Sequence, residues 1–230
     1  MADQLYLSLW YPNFRLEALP AALIGLLRQF ARIAKADQAA ARQDQPASGE
    51  NSAPAPLGRI LAASAYPIDW TESPTFQRIY VNDERAQPSA DTEGSIIENA
   101  VAEATAQLHE DMAFELEMCW MLWMPSGGLN ATWRLEPVRV KFTGFGPEFD
   151  AASYDQNGHI RVDFGLDTAW TLEDQSLGQD AAERIRQNVE KLLAFTLSVE
   201  KHCGISSRLL WTESGEPLAE KLVARLQRLN

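Results

Sequence analysis

The sequence predicts an α+β fold: an antiparallel or mixed sheet with helices packed on one face, a βαββαβ-like N-terminal half followed by ββαβα. Three observations carry this expectation. Apolar residues recur at every second position in short runs such as FELEM (Phe114 to Met118) and IRVDF (Ile160 to Phe164), the period of a strand with one wetted face. Between them lie longer segments with apolar residues at i, i+3 and i+4, the period of a helix with one buried stripe. Turn-forming residues stand at the boundaries, among them Pro12, Pro20, Pro125 and the SGGLN run from Ser126.

Taken in order, QLYLSLW is the first strand, ended by Tyr11-Pro12. Leu16, Leu19, Leu23, Leu27, Phe30 and Ile33 then form a helical stripe, with Pro20 in the first turn, where its missing N–H costs nothing. That stripe fades into the Ala-, Gln-, Ser- and Pro-rich residues 36–58, and 37–57 is expected to be a mobile loop. GRILAASAYPIDW and TFQRIYVN read as two strands. Ser95 and Glu98 have capping-box spacing and predict a helix over 95–110, with Ile97, Val101, Ala104 and Leu108 on its inner side. Strands follow at 114–124, 132–145 and 158–165. Ser176 and Gln179 open a long helix carrying Ile185, Val189, Leu192, Leu193, Thr196 and Val199, with Lys201 and His202 in its last turn and Gly204 as its left-handed cap. RLLW is a short strand or extended connection, and a Leu-rich helix follows Pro217. The two halves, 1–124 and 125–230, join near Pro125 and are expected to form one continuous packed unit.

The FELEMCWMLWM stretch loses its alternation at Cys119. A covered second face explains that, and a bilayer does not, because spanning takes about 20 apolar residues. Apolar-to-apolar matching with the next strand pairs Phe114 with Phe142, Leu116 with Val140 and Met118 with Val138. It sets Glu115 opposite Lys141 and Glu117 opposite Arg139. Continuing to the third strand, Val162 meets Val140 and Ile160 meets Phe142, so Arg161 lies beside Lys141 and Asp163 beside Arg139. The candidate binding surface is therefore Glu115, Glu117, Arg139, Lys141, His159, Arg161 and Asp163 on the open sheet face, with the like charges Lys141 and Arg161 adjacent.

The chain of 230 residues is acidic, with 32 Asp and Glu against 20 Lys and Arg and a formal charge of −12. A nucleic-acid binder needs a basic face, and none is visible. From Ala86 to Trp133 no Lys or Arg occurs, yet Asp91, Glu93, Glu98, Glu103, Glu110, Asp111, Glu115 and Glu117 all do. Cys119 and Cys203 have no metal or disulfide spacing and read as reduced core residues. No leader peptide is evident, and the expected location is the cytoplasm. HExxH, CxxC, GxxxxGK[ST] and GxSxG are absent, and the two glycines of TGFGPEF lack the third glycine and the following helix of a phosphate loop. No metal or other cofactor is expected. His109 reads as a helix-end residue, and His202 beside Cys203 points away from it. The aromatic loops WYPNF and YPIDW read as plugs at the end of the core more than as interface anchors.

With no catalytic constellation, the first expectation is a non-catalytic acidic protein that binds another protein, as an inhibitor, immunity or adaptor subunit does. Its partner would be a basic protein or, through a sheet edge or the last helix, a second copy of itself. The alternative is an enzyme or small-ligand binder that takes an anionic substrate over Lys141, Arg161 and His159.

Overall fold

The computed structural model describes residues 3–44, 57–67, 73–80, 90–126, 132–149, 157–170 and 179–214; of residues 37–44, 90–95, 126, 132 and 179 it describes the backbone only. Within these residues the strands are β1 (Gln4–Trp10), β2 (Ala62–Tyr66), β3 (Phe76–Ile79), β4 (Ala113–Ser126), β5 (Thr132–Phe145), β6 (Ile160–Leu166) and β7 (Ser207–Thr212). The helices are α1 (Leu19–Asp44), α2 (Ala90–Ala104) and α3 (Gln179–His202), with short 3-10 turns at Leu16–Ala18 and Asp167–Ala169. The expected helix after Pro217 lies outside the described residues.

All seven strands form one antiparallel sheet in the order β3-β2-β4-β5-β6-β1-β7. The element order matches the βαββαβ expectation, but the arrangement is not a split βαβ. β1 pairs with β6 and β7 from the far end of the chain, and α1 carries the chain over the β4–β5–β6 centre to reach β2. Strand β4 also does not end at Pro125. The β4–β5 ribbon runs on to Ser126↔Thr132, where Pro125 needs no ladder partner for its missing N–H.

The three helices cover one sheet face, with α1 packed against both α2 and α3. Their inner sides supply Leu23, Leu27 and Phe30, then Ile97 and Val101, then Ile185, Val189, Leu192, Phe195 and Val199. The sheet answers with Leu5, Leu7, Leu9, Phe114, Leu116, Met118, Trp120, Phe142, Ile160, Val162 and Phe164, all fully buried. Phe30 is the hub, with ring centroids 5.0 Å from Trp120, 5.1 Å from Phe142 and 5.5 Å from Phe195. Burying one such ring contributes about 1.5–3 kcal/mol, so this cluster is the centre of stability. Leu193, expected on the inner stripe, is 40% exposed, and Phe195 takes that role.

Three helix limits differ from expectation. α1 runs on to Asp44 through residues with no apolar stripe, because Ala, Arg and Gln are strong helix formers without one. The expected loop 37–57 therefore opens as helix, and 45–56 lie outside the described residues. α2 begins at Ala90, so Ser95 is helical rather than a cap, and it ends at Ala104. There the Thr105 N–H and hydroxyl both donate to the Val101 carbonyl, at 2.9 and 2.7 Å, and close the last turn. α3 ends as expected, with Gly204 at φ 63° past Lys201 and His202.

The registers around β5 are displaced by two residues from the expected ones. Leu116 pairs with Phe142, Met118 with Val140 and Glu117 with Lys141. Beyond it, Phe142 pairs with Val162, Lys141 with Asp163 and Thr143 with Arg161. A shift of two keeps every side chain on its expected face but changes its neighbours.

β2 stops pairing at Ala62↔Glu117, which leaves the distal half of β4 with one bare edge. Side chains and loop amides finish it. Gly58 N–H donates to the Cys119 carbonyl at 3.2 Å, and Lys191 Nζ donates to that of Met121. The buried Asn188 of α3 then behaves as a surrogate peptide: its oxygen accepts from Trp123 N–H at 2.9 Å, and its amide donates to the Trp123 carbonyl at 2.8 Å. A bare edge is a template for unwanted pairing, and this one is closed.

Candidate functional site

Because strand side chains alternate, the residues between the buried ones point away from the helices. Across the centre of that outer face runs the row Ser8, Arg161, Thr143, Glu115, Ser64, and beside it the row Tyr6, Asp163, Lys141, Glu117, Ala62. All of the charged residues expected on the sheet are here, with Arg139 one step along β5. His159 is set apart. Its ring stacks on Phe14 with centroids 4.3 Å apart, and its Nδ1 accepts from Tyr11 N–H at 3.0 Å. It belongs to a plug of Tyr11, Phe14 and His159 at the end of the sheet. That bears out the plug reading for the first aromatic loop. Tyr66 packs elsewhere, against Ala113, Phe145 and Phe149, while Trp70 lies outside the described residues.

Two of the three cations on this face are neutralised locally. Lys141 Nζ lies 3.4 Å from Glu115 and 3.7 Å from Glu117, and Arg139 Nη1 lies 3.0 Å from Glu117. The expected ion pairs thus exist, but as diagonal contacts rather than directly opposite residues. Burial pulls the Lys141 ammonium down, and the carboxylates of Glu115 and Glu117 outweigh it, leaving its pKa raised. Burial also raises the Glu115 carboxyl, against the opposing pull of Lys141. Asp163 is held too, its Oδ1 accepting from Gln4 Nε2 at 2.6 Å and from Gly165 N–H at 2.8 Å. The latter bond sits in a bulge of β6, where Gly165 takes φ 79°.

Arg161 is different. Its neighbours across both strands are hydroxyl residues, Ser8 and Thr143, and not Lys141 as the sequence led us to expect. Its guanidinium carbon stands 5.1 Å from the ring centre of Tyr6 and 5.2 Å from that of Phe145, within cation–π range of both. The buried Nε has no acceptor, and the guanidinium makes no ion pair with any described residue. Tyr6 is backed by Trp211 at 4.7 Å, and Trp211 Nε1 donates to Ser8 Oγ at 2.9 Å. Phe145 is backed by Phe149 at 5.9 Å. The result is a guanidinium standing between two aromatic walls on a low floor of small hydroxyl side chains.

Sequence pattern found Arg161 but missed its walls. Tyr6 alternates with Leu5 and Leu7, which marks it as an outward aromatic; Phe145 ends a strand and carried no such mark. Elsewhere, the two glycines of TGFGPEF serve packing. A Cβ on Gly144 would strike Leu19 of α1, and one on Gly146 would stand 2.6 Å from the Glu110 carbonyl carbon. Burial lifts the Cys119 and Cys203 thiols to about 11, so both are protonated at neutral pH. Among the described residues no three His, Cys, Asp or Glu side chains converge as metal ligands, and no helix is long and apolar enough to cross a membrane.

Family models, curated proteins and solved structures give no match to this chain.

Proposed function

We propose that this chain is a binding protein for an anionic ligand, which it takes on the outer sheet face at Arg161. The observation that carries this reading is the contrast within one face: Lys141 and Arg139 have carboxylate partners, whereas the Arg161 guanidinium has two aromatic rings and no described counter-ion. A guanidinium without a counter-ion is an incompletely paired charge, and an oxyanion at the accessible part of this half-buried side chain would complete it. Lys141 drops out of the expected ligand set because it sits between Glu115, Glu117 and Asp163. His159 drops out because its ring faces Phe14.

The alternative of an acidic surface for a basic protein loses support in the same structure. Four carboxylates of the acidic segment are answered from within the chain: Glu98 by Arg28, Glu103 by Arg78 at 2.5 Å, and Glu115 and Glu117 by Lys141 and Arg139. Those carboxylates are already spent, while Glu110 and Asp111 stand exposed with no ion pair to a described residue.

Arginine Nε–Hε resonances observed by NMR test the proposal. Addition of benzoate or inorganic phosphate should move one such resonance, and that resonance should vanish in Arg161→Lys. If neither anion moves any arginine Nε–Hε signal assigned to Arg161, the reading fails.

A further inference from the structure

An open sheet has edges, and a row of unpaired peptide groups is a template for another strand. Among the described residues the edges are β3, β7 and the unpaired stretches of β4 and β5, and all but β7 carry a device against pairing. β3 is short, Phe76–Ile79, and exposes Gln77 and Arg78. The open stretch of β4 is closed by Gly58, Asn188 and Lys191. The stretch of β5 beyond Lys141 carries Pro137 between the exposed Glu136 and Arg139. β7 reads SRLLWT, with no proline and no shift of register, and its Leu209 stands 51% exposed on the outer face.

We propose that β7 is the interface of a homodimer, in which two copies pair antiparallel along this strand with Leu209 of each on the twofold axis. The hydrogen-bond phase of β7 suits that axis. Glu213 N–H donates to the Gln4 carbonyl at 3.1 Å, so Trp211, Leu209 and Ser207, stepping back by twos, also turn their peptide groups to β1. Arg208 and Leu210 turn theirs to the other side, where no described strand meets them. An axis at Leu209 sets Arg208 of one copy opposite Leu210 of the other, and each such pair exchanges both backbone bonds. The two Leu209 side chains then meet on the outer face at the close, non-hydrogen-bonded position, with Cα atoms about 4.5 Å apart. Charge selects a second copy over a charged partner. Arg208 is answered by Glu200 of its own chain at 2.9 Å, so the edge is neutral and suits another neutral edge. The chain also leaves β7 on the side away from this edge, because Ser214 N–H donates to Asp3 Oδ2 at 2.8 Å, beside β1.

Sedimentation velocity of the full chain over a concentration series tests the dimer, together with disulfide trapping. The parent should pass from monomer to dimer as concentration rises. Each copy carries −12, so added salt should tighten the dimer or leave it unchanged. Leu209→Asp sets two carboxylates on the axis and should weaken dimerisation about tenfold or more while keeping the circular dichroism of the parent. Leu209→Cys, mildly oxidised, should give a disulfide-linked dimer, because a close antiparallel pair lies within disulfide reach. Ile79→Cys, at a position 69% exposed on β3, should give none, nor should the parent with its native Cys119 and Cys203. A chain that stays monomeric up to about 1 mM overturns the inference. So does a dimer that Leu209→Asp leaves intact, one that salt dissociates, or one in which Leu209→Cys cross-links no better than Ile79→Cys.

Discussion

Replacing Asn188 removes the side chain that closes the bare edge of β4 at Trp123. Its side chain is fully buried and makes three hydrogen bonds: from Trp123 N–H at 2.9 Å, to the Trp123 carbonyl at 2.8 Å and to the Ala169 carbonyl at 2.8 Å. Asn188→Leu keeps the volume and loses all three. The Ala169 bond is buried and should cost about 1–3 kcal/mol when orphaned, while the partly buried Trp123 groups recover some solvation and should cost about 1 kcal/mol each. The expected loss is about 3–5 kcal/mol, which at ordinary urea sensitivities lowers the unfolding midpoint by about 1–2 M. Asn188→Asp supplies an internal check. A carboxylate still accepts from Trp123 N–H but faces two carbonyl oxygens, so its folded pKa should rise. A carboxyl with a raised folded pKa is more stable in the protein when protonated, so this variant should regain stability as pH falls below neutrality and lose it again as pH rises. Urea titrations of both variants at pH 7 and near pH 5 read the outcome. A midpoint shift in Asn188→Leu below about 0.3 M, no more than about one hydrogen bond's worth, would refute the surrogate-peptide argument.

Other expectations follow from single contacts. Gly146→Ala places a methyl 2.6 Å from a backbone carbon of Glu110 and 2.8 Å from the His109 oxygen; neither can yield cheaply, so thermal unfolding should show a loss of about 2–3 kcal/mol or more. A Cβ on Gly165 meets no neighbouring atom within 4 Å, but Gly165→Val forces a β-branched residue to φ 79° and should cost about 1–2 kcal/mol, with Gly165→Asn costing clearly less. Burial raises the Glu115 carboxyl above its ordinary 4.5, so the folded state binds its proton more tightly than the unfolded chain does. Stability should therefore fall as pH rises through the Glu115 window, and Glu115→Gln should flatten that slope in denaturant titrations across the acid range. The Arg184 guanidinium lies 3.7 Å from the Trp123 ring centre, and Arg184→Ala should cost about 0.5–1 kcal/mol in the same assay.

How far the fold could be read before the structure depended on which physical signal each element left in its residues. Period-two runs placed β1, β4, β5 and β6, and assigned Lys141, Arg161, Glu115 and Glu117 to the wet face correctly, because a strand has only two faces. α1 beyond Ala34 left no apolar period, and only the propensity of Ala, Arg and Gln spoke for it. The Ser95 capping spacing misled because the same letters are tolerated inside a helix. Asn188 did leave a mark: it falls three residues after Ile185 and four before Leu192, where the stripe calls for an apolar side chain. A polar residue on a buried stripe needs partners there, and the bare edge of β4 supplies them.

The site was harder to read than the fold for one specific reason. Matching apolar side chains across strands fixes register only modulo two, since a shift of two residues still sets apolar against apolar. The difference must come from the hairpin tip, and Pro125 looked like a strand end. Because β4 has a bare edge there, Pro125 is instead tolerated inside the ribbon, and the arms lengthen to Ser126 and Thr132. The stability consequence of such a shift is small, since every face survives. The functional consequence is large. In the expected register Arg161 stands beside Lys141, and two cations share the ligand. In the observed one Lys141 moves beside Asp163, Arg161 moves beside Thr143, and the aromatic rings of Tyr6 and Phe145 come to flank a single guanidinium. A cation pair favours a multiply charged anion. A lone guanidinium no longer offers two adjacent cations to one anion, so the two-residue shift alone changes what this face presents.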